Sequence, residues 1–151
     1  MCQHLEAMVL KNPTHEQQTL GYLLRHAFDQ MVAEVYGSLA ATGFADLRPA
    51  HGAVFRHILP GGSRITELAH LASVTKQSMA YLVDDLAALG YVEQNADPRD
   101  GRAKVVTLTD RGQTAQNAIL SASRRYEATL ANKVGPDAYH QMRSTLEKLT
   151  I

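Results

Sequence analysis

Tryptophan is absent from this 151-residue chain, cysteine occurs once, at Cys2, and there is no excess of charge of either sign. The single cysteine excludes an intramolecular disulfide framework and any Cys-rich zinc module. Fifteen Lys and Arg balance fifteen Asp and Glu, for a formal net charge of zero. That balance excludes a polybasic coat protein and an acidic tail. If nucleic acid is a partner, the attraction must come from local arrangement of charge. No stretch approaches the ~18 apolar residues of a membrane span. The opening MCQHLEAMVLK lacks a basic segment followed by a long apolar run, so a cytoplasmic protein with no membrane partner is expected.

Enzyme signatures are missing as well. There is no Gly-rich phosphate loop, nucleophile elbow or HExxH, and Asp84 and Asp85 point about 100° apart on a helix, so they cannot act as a carboxylate pair. The seven histidines include no i,i+4 pair, and His51 and His57 would lie about 240° apart on a helix. No catalysis, cofactor or metal is expected, and Cys2 has no evident basic neighbour to activate it.

What the chain does have is helical rhythm. Ala and Leu dominate its apolar residues, against only six Tyr and three Phe. Thr14 with Gln17 forms a capping-box pattern, followed by Leu20, Leu24, Ala27, Phe28, Met31, Val32, Val35 and Leu39, ending near Thr42-Gly43. Pro49 suits the first position of a second helix running through Val54, Phe55 and Ile58, and Pro60-Gly61-Gly62-Ser63 breaks the chain. Ile65 to Leu71 and Thr75 to Leu89 read as two helices joined by a tight turn, with Gly90 as the stop. Tyr91-Val92-Glu93 and Lys104 to Leu108 read as strands of a hairpin whose long tip is the turn-rich Asn95 to Gly101. Thr109-Asp110 opens a helix to about Val134, and Gly135-Pro136 separates it from a last one. The fold class is mainly α with a small β-hairpin wing.

Residues 65–108 carry the chemistry. Small Ala69 lies where two helices must approach closely, and Ser73 falls in the turn of a helix-turn-helix, a place often held by Gly. Met79, Leu82, Val83, Leu86 and Leu89 share one stripe of the second helix, while Gln77, Tyr81 and Asp84 face the other way, flanked by Lys76 and Ser78. An apolar back with a polar front near the N-terminus suits a recognition helix. Gln77 can pair with an adenine edge, Ser78 can reach bases or phosphate, and Lys76 suits phosphate. Most polar helix faces merely meet water, but here a hairpin with Arg99, Arg102 and Lys104 around its tip follows directly. Such an Arg can enter the minor groove; Arg102 leads, with Asp100 placed to hold its guanidinium. Arg99 and Lys104, with Arg64 at the edge of the segment, are further candidate DNA contacts. Across 64–111 six basic residues face seven acidic ones, a formal net of −1. DNA binding then requires the carboxylates to sit away from phosphate, with Asp84 the awkward one.

The run ITELAHLASVTKQSMAYLVDDLAALGYVEQNADPRDGRAKVVTLTDRG resembles the MarR (multiple antibiotic resistance regulator) family of winged helix-turn-helix transcription factors. Its matching elements are LA…VTKQSM, LVDDLAALGYVE, Asp100-Gly101-Arg102 and LTDRG. The resemblance implies a homodimer, usually a repressor, binding a pseudo-palindromic double-stranded DNA operator. It places Thr75, Lys76, Gln77, Ser78 and Tyr81 on the recognition helix, and Asp100 and Arg102 in the wing, where Gly101 replaces a frequent basic residue. It divides the chain into a dimerisation region at 1–46, a winged helix-turn-helix at 47–110 and dimerisation helices at 111–151. The terminal segments also carry apolar stripes larger than one small domain can cover, which independently favours a dimer. The family further implies a small aromatic or phenolic effector, for which His26, Arg48, His51 and Phe55 are candidates, with His57 nearby. The rival reading is a winged-helix module that binds protein without specific DNA binding, as Asp84, Asp85 and Tyr81 would allow.

Overall fold

The computed structural model describes residues 18–98 and 100–149. The expected Thr14–Gln17 cap and Cys2 lie outside the described residues. Helices α1 (Leu20–Leu39), α2 (Gly52–His57), α3 (Ile65–Leu71) and α4 (Lys76–Ala88) precede strands β1 (Val92–Asp97) and β2 (Asp100–Leu108); α5 (Asp110–Val134) and α6 (Pro136–Leu149) follow. The architecture is therefore helical with one antiparallel hairpin, as the sequence patterns predict. None of the described helices is long and apolar enough to cross a membrane.

The chain forms two compact units, Met1–Gln30 and Met31–Ile151. In the first, Thr19 Oγ1 accepts from the Tyr22 N–H at 3.3 Å at the start of α1, and Arg25 pairs with Asp29 one turn on, at 2.9 Å.

In the second unit, the end of α1 contributes Val35 and Leu39 to the core. Three 3₁₀ residues, Ala40–Thr42, close that helix, and Gly43 at φ 88° supplies the left-handed stop. Pro49 does begin the next helical segment, but as a 3₁₀ turn, Pro49–His51, leading into α2. That segment stops one residue short of expectation: Ile58 is extended and serves as the C-cap of α2. From α4 the stripe delivers Met79, Val83 and Leu86 fully buried, with Leu82 and Leu89 half-buried. Truncating Met79 or Leu86 to Ala would cost about 2–5 kcal/mol by cavity formation, read as a fall in melting temperature.

The hairpin differs from its sequence reading. The strands run through most of the turn-rich segment, and the extra length appears as a bulge rather than a long tip. Ala96 pairs with Lys104 and Asp97 with Asp100, so Gly101, Arg102 and Ala103 are left over on β2. Asp97 remains in the ladder because its carboxylate is buried and ion-paired, which continues β1 past Asn95. The chain after α2 adds to the same sheet: Ser63 and Val106 exchange N–H···O bonds of 3.0 and 2.9 Å.

The join between hairpin and α5 is the tightest point. Thr109 caps α5, its Oγ1 accepting from the Gly112 N–H at 3.0 Å and donating to the Gly90 carbonyl at 2.7 Å. This draws Gly112 against the backbone of Tyr91, where a Cβ would stand 1.9 Å from the carbonyl oxygen. That oxygen also accepts from Thr109 N–H at 3.1 Å, so it has no freedom to withdraw. Gly112→Ala should lower stability by about 3 kcal/mol or more, read as a fall in melting temperature by circular dichroism. Gly101→Ala, which meets nothing within 4 Å, should leave it unchanged.

Candidate nucleic-acid interface

Recognition-helix geometry begins in the turn. Ala69 of α3 is buried at the helix crossing, and Ser73 adopts φ 55°, alone among described non-glycine residues in having positive φ. The left-handed residue lets Val74 N–H reach the Ala69 carbonyl at 3.0 Å and turns the chain into α4. Thr75 then caps α4: its Oγ1 accepts from Ser78 N–H at 3.0 Å and donates to Ser78 Oγ at 2.8 Å. The Thr75 hydroxyl is thereby committed to the helix, while Ser78 keeps its own O–H to donate. Lys76, Gln77, Ser78 and Tyr81 are all exposed, Tyr81 at 64%. The polar front is open and the apolar back is locked.

Beside it, the wing is built on charge pairing. Asp97, 2% exposed, accepts from Arg64 Nε at 2.8 Å, with Arg64 Nη2 at 2.6 Å from the same oxygen. Arg64, a DNA-contact candidate, ties the start of α3 to the wing through Nε and Nη2 of its guanidinium. Asp100 departs from expectation. Its Oδ1 accepts from the backbone N–H of Arg102 at 3.2 Å, and its Oδ2 lies 3.8 Å from Arg64, so it shapes the bulge rather than gripping the Arg102 guanidinium. Arg102 and Lys104 are exposed, and among the described residues neither makes an ion pair. Arg99 lies outside the described residues.

The residues expected to border an effector crevice do something else. His51 is fully buried. Its Nδ1 accepts from the Arg48 N–H at 3.1 Å, which leaves the proton on Nε2, donated to Asp85 Oδ2 at 2.7 Å. The Arg48 guanidinium donates to the same oxygen. Phe55 is buried with its ring edge-on to Tyr91. His26 belongs to the first compact unit, where it stacks on Tyr22 and meets Gln30 at 3.2 Å. His51 and Phe55 are closed inside the core, so neither is placed to receive a carboxylate. Asp84, the awkward carboxylate, accepts from Gln94 Nε2 of β1 at 3.1 Å.

One constellation escaped the sequence reading. The Tyr91 hydroxyl donates to Asp46 Oδ1 at 2.5 Å, and Arg111 Nη2 donates both to Asp46 Oδ2 at 2.9 Å and to the Tyr91 oxygen at 3.0 Å. Burial, reinforced by Asp46, pushes the Tyr91 pKa up, so the hydroxyl stays a donor. The Arg of LTDRG was the available signal, but its partner lies 65 positions away. Among the described residues no group of three His, Cys, Asp or Glu is placed to hold a metal.

Asp85 has a pH consequence. Hydrogen bonds from His51 first and Arg48 second hold its pKa below the ordinary carboxylate value of 3.8. A depressed carboxylate contributes stability that is fully present above its unfolded pKa and is lost as pH falls through the lower folded value. Urea melts between pH 7 and pH 2 should show wild type and Asp85→Asn converging at the acid end. A gap that persists unchanged would refute the assignment.

Residues 45–103 match a family model described as MarR family. No curated protein matches this chain by sequence. Among solved structures, the transcriptional repressor CouR bound to a 23-mer DNA duplex aligns with TM-score 0.74 at 23% identity, over 91% of this chain and 96% of that one. CouR from Rhodococcus jostii RHA1 bound to p-coumaroyl-CoA aligns with TM-score 0.71 at 22% identity, covering 91% and 95%. A mutant of S. aureus MepR bound to an oligodeoxyribonucleotide aligns with TM-score 0.59 at 21% identity, covering 87% and 96%. At these identities the alignments speak for the fold, a winged helix-turn-helix; the match to the MarR family model covers residues 45–103, the helix-turn-helix and the start of the wing.

Proposed function

We propose that this chain is a sequence-specific DNA-binding transcriptional regulator, acting as a repressor and as a homodimer on a pseudo-palindromic operator. The observation that carries the reading is the front of α4: Lys76, Gln77, Ser78 and Tyr81 stand open beside a wing whose Arg102 and Lys104 make no ion pair among the described residues. The CouR and MepR mutant structures contain DNA. In this reading Gln77 reads a base edge in the major groove, Lys76 and Ser78 meet phosphate, and Arg102 enters the minor groove from its bulge.

A second copy is needed to complete the molecule. Helix α6 buries none of its residues, and Met142, Leu146 and Leu149 stand exposed along it. In the first unit Leu20, Leu23 and Leu24 are likewise exposed. A helix of this length gains its stability from burying an apolar face, and a homodimer supplies one. The α4 helices of the two copies would then sit ~34–36 Å apart, one turn of duplex. Sedimentation at micromolar concentration should give a dimer; a monomer would count against the scheme.

For a ligand, we take the chemistry of the p-coumaroyl-CoA seen bound to CouR as the guide: a small aromatic or phenolic molecule is the proposed class. Arg48, His51 and Phe55 are not proposed to hold it.

The DNA reading is tested by mobility shift on the promoter segment flanking its own coding sequence, at several salt concentrations. Affinity should fall steeply with salt. Arg102→Ala should weaken binding across sequences, and Gln77→Ala should cost ~1–3 kcal/mol at selected base pairs. Absence of binding even at low salt would favour a protein-interaction module instead.

A further inference from the structure

Arg48 sits in an unusual position for a residue that closes an ion pair. It precedes the 3₁₀ turn Pro49–His51, yet its side chain reaches Asp85 on α4 and remains 54% exposed. On α4, Gln77, Tyr81 and Asp85 follow one another at i,i+4 spacing, so they form one row along the helix. Asp85 first, and the Tyr81 hydroxyl after it, raise the Arg48 pKa above its ordinary value. Arg48 therefore stands at the far end of the row that begins with the base-reading position Gln77.

The other half of the arrangement is His51. Asp85 Oδ2 is held twice, by Arg48 and by the Nε2–H of the buried His51. A carboxylate with one partner would be left uncompensated if that partner moved away. Asp85 keeps the His51 bond whatever Arg48 does. His51 is itself fixed, since its Nδ1 is occupied by the Arg48 main-chain N–H rather than by the side chain. The guanidinium has five N–H donors, and only its Nη2 donates to Asp85. Tyr81 takes a further hydrogen bond of the guanidinium, and the donors beyond these partners can meet a phosphate while Asp85 keeps its bond from His51.

Building on the DNA-binding reading, we infer that Arg48 is a sequence-independent phosphate contact flanking the recognition helix, its charge held in check by Asp85 while His51 keeps Asp85 satisfied. This gives the pair a regulatory consequence in charge alone. Removing Arg48 takes a cation away from the phosphates, whereas neutralising Asp85 releases a cation onto the same surface. The two changes break the same ion pair but act on DNA binding in opposite directions. A purely structural strut would make them act alike.

The experiment is salt-dependent binding by the full chain to two duplexes: its own promoter segment and a random-sequence duplex. For Arg48→Ala, the slope of log K against log[salt] should shrink by about 0.9 for each phosphate no longer neutralised, on both duplexes. Arg48→Lys should keep the wild-type slope, because a point charge still meets the phosphate. Asp85→Asn should tighten binding to the random-sequence duplex and steepen its slope. If Arg48→Ala and Asp85→Asn both weaken binding at the wild-type slope, the pair is a strut and the inference falls while the DNA-binding reading stands. If the wild-type protein binds neither duplex, both fall together.

Discussion

Charge segregation is the constraint on which this molecule depends. A chain of zero net charge, whose central segment is slightly acidic, can approach a polyanion only if its carboxylates are neutralised internally. Asp46, Asp85 and Asp97 are each held by an arginine: Arg111, Arg48 and Arg64 respectively. Each pair joins elements distant in sequence, so the same contacts that quiet the acids also assemble the winged helix. What is left outward includes Lys76, Arg102 and Lys104, none of them ion-paired among the described residues. The cationic surface is a remainder, produced by where the acids went.

Close backbone approach is the second element, and it sets where the wing lies. Gly112 against the Tyr91 carbonyl locks the start of α5 to the residue that leads from α4 into β1. Tyr91 then carries the join sideways, through its ring against Phe44 and Phe55 and its hydroxyl to Asp46 and Arg111. The LTDRG stretch thus has a division of labour. Thr109 caps, Arg111 pairs, and Gly112 permits the contact.

Local physics made much of this readable in advance. The stripe Met79, Val83, Leu86, the cap Thr75, the stop at Gly90 and the left-handed demand at Ser73 each depend on neighbours within a few residues. Periodicity and capping report such short-range facts directly. The polar front of α4 was legible for the same reason, since a residue opposite a buried stripe is exposed on any amphipathic helix. The differences between pattern and structure have a common origin. Reading Arg64 and Arg48 as uncommitted cations, Asp100 as a grip on the Arg102 guanidinium, and His51 and Phe55 as open side chains assumed in each case that a charged or aromatic side chain faces outward unless a local partner is evident. Their partners came from elsewhere in the chain: Asp97 for Arg64, Asp85 for Arg48 and His51, Tyr91 for Phe55.

By itself, then, the order of residues determined the helices, the turn between α3 and α4, the existence of a hairpin and which face of α4 is polar. Tertiary structure alone decided which charges cancel, how the wing bulges at Gly101–Ala103, and that His51 is buried beneath an ion pair. The reason is range. Backbone hydrogen bonding and side-chain periodicity act over one or two turns, whereas an ion pair between residues more than thirty positions apart exists only once the chain has closed on itself.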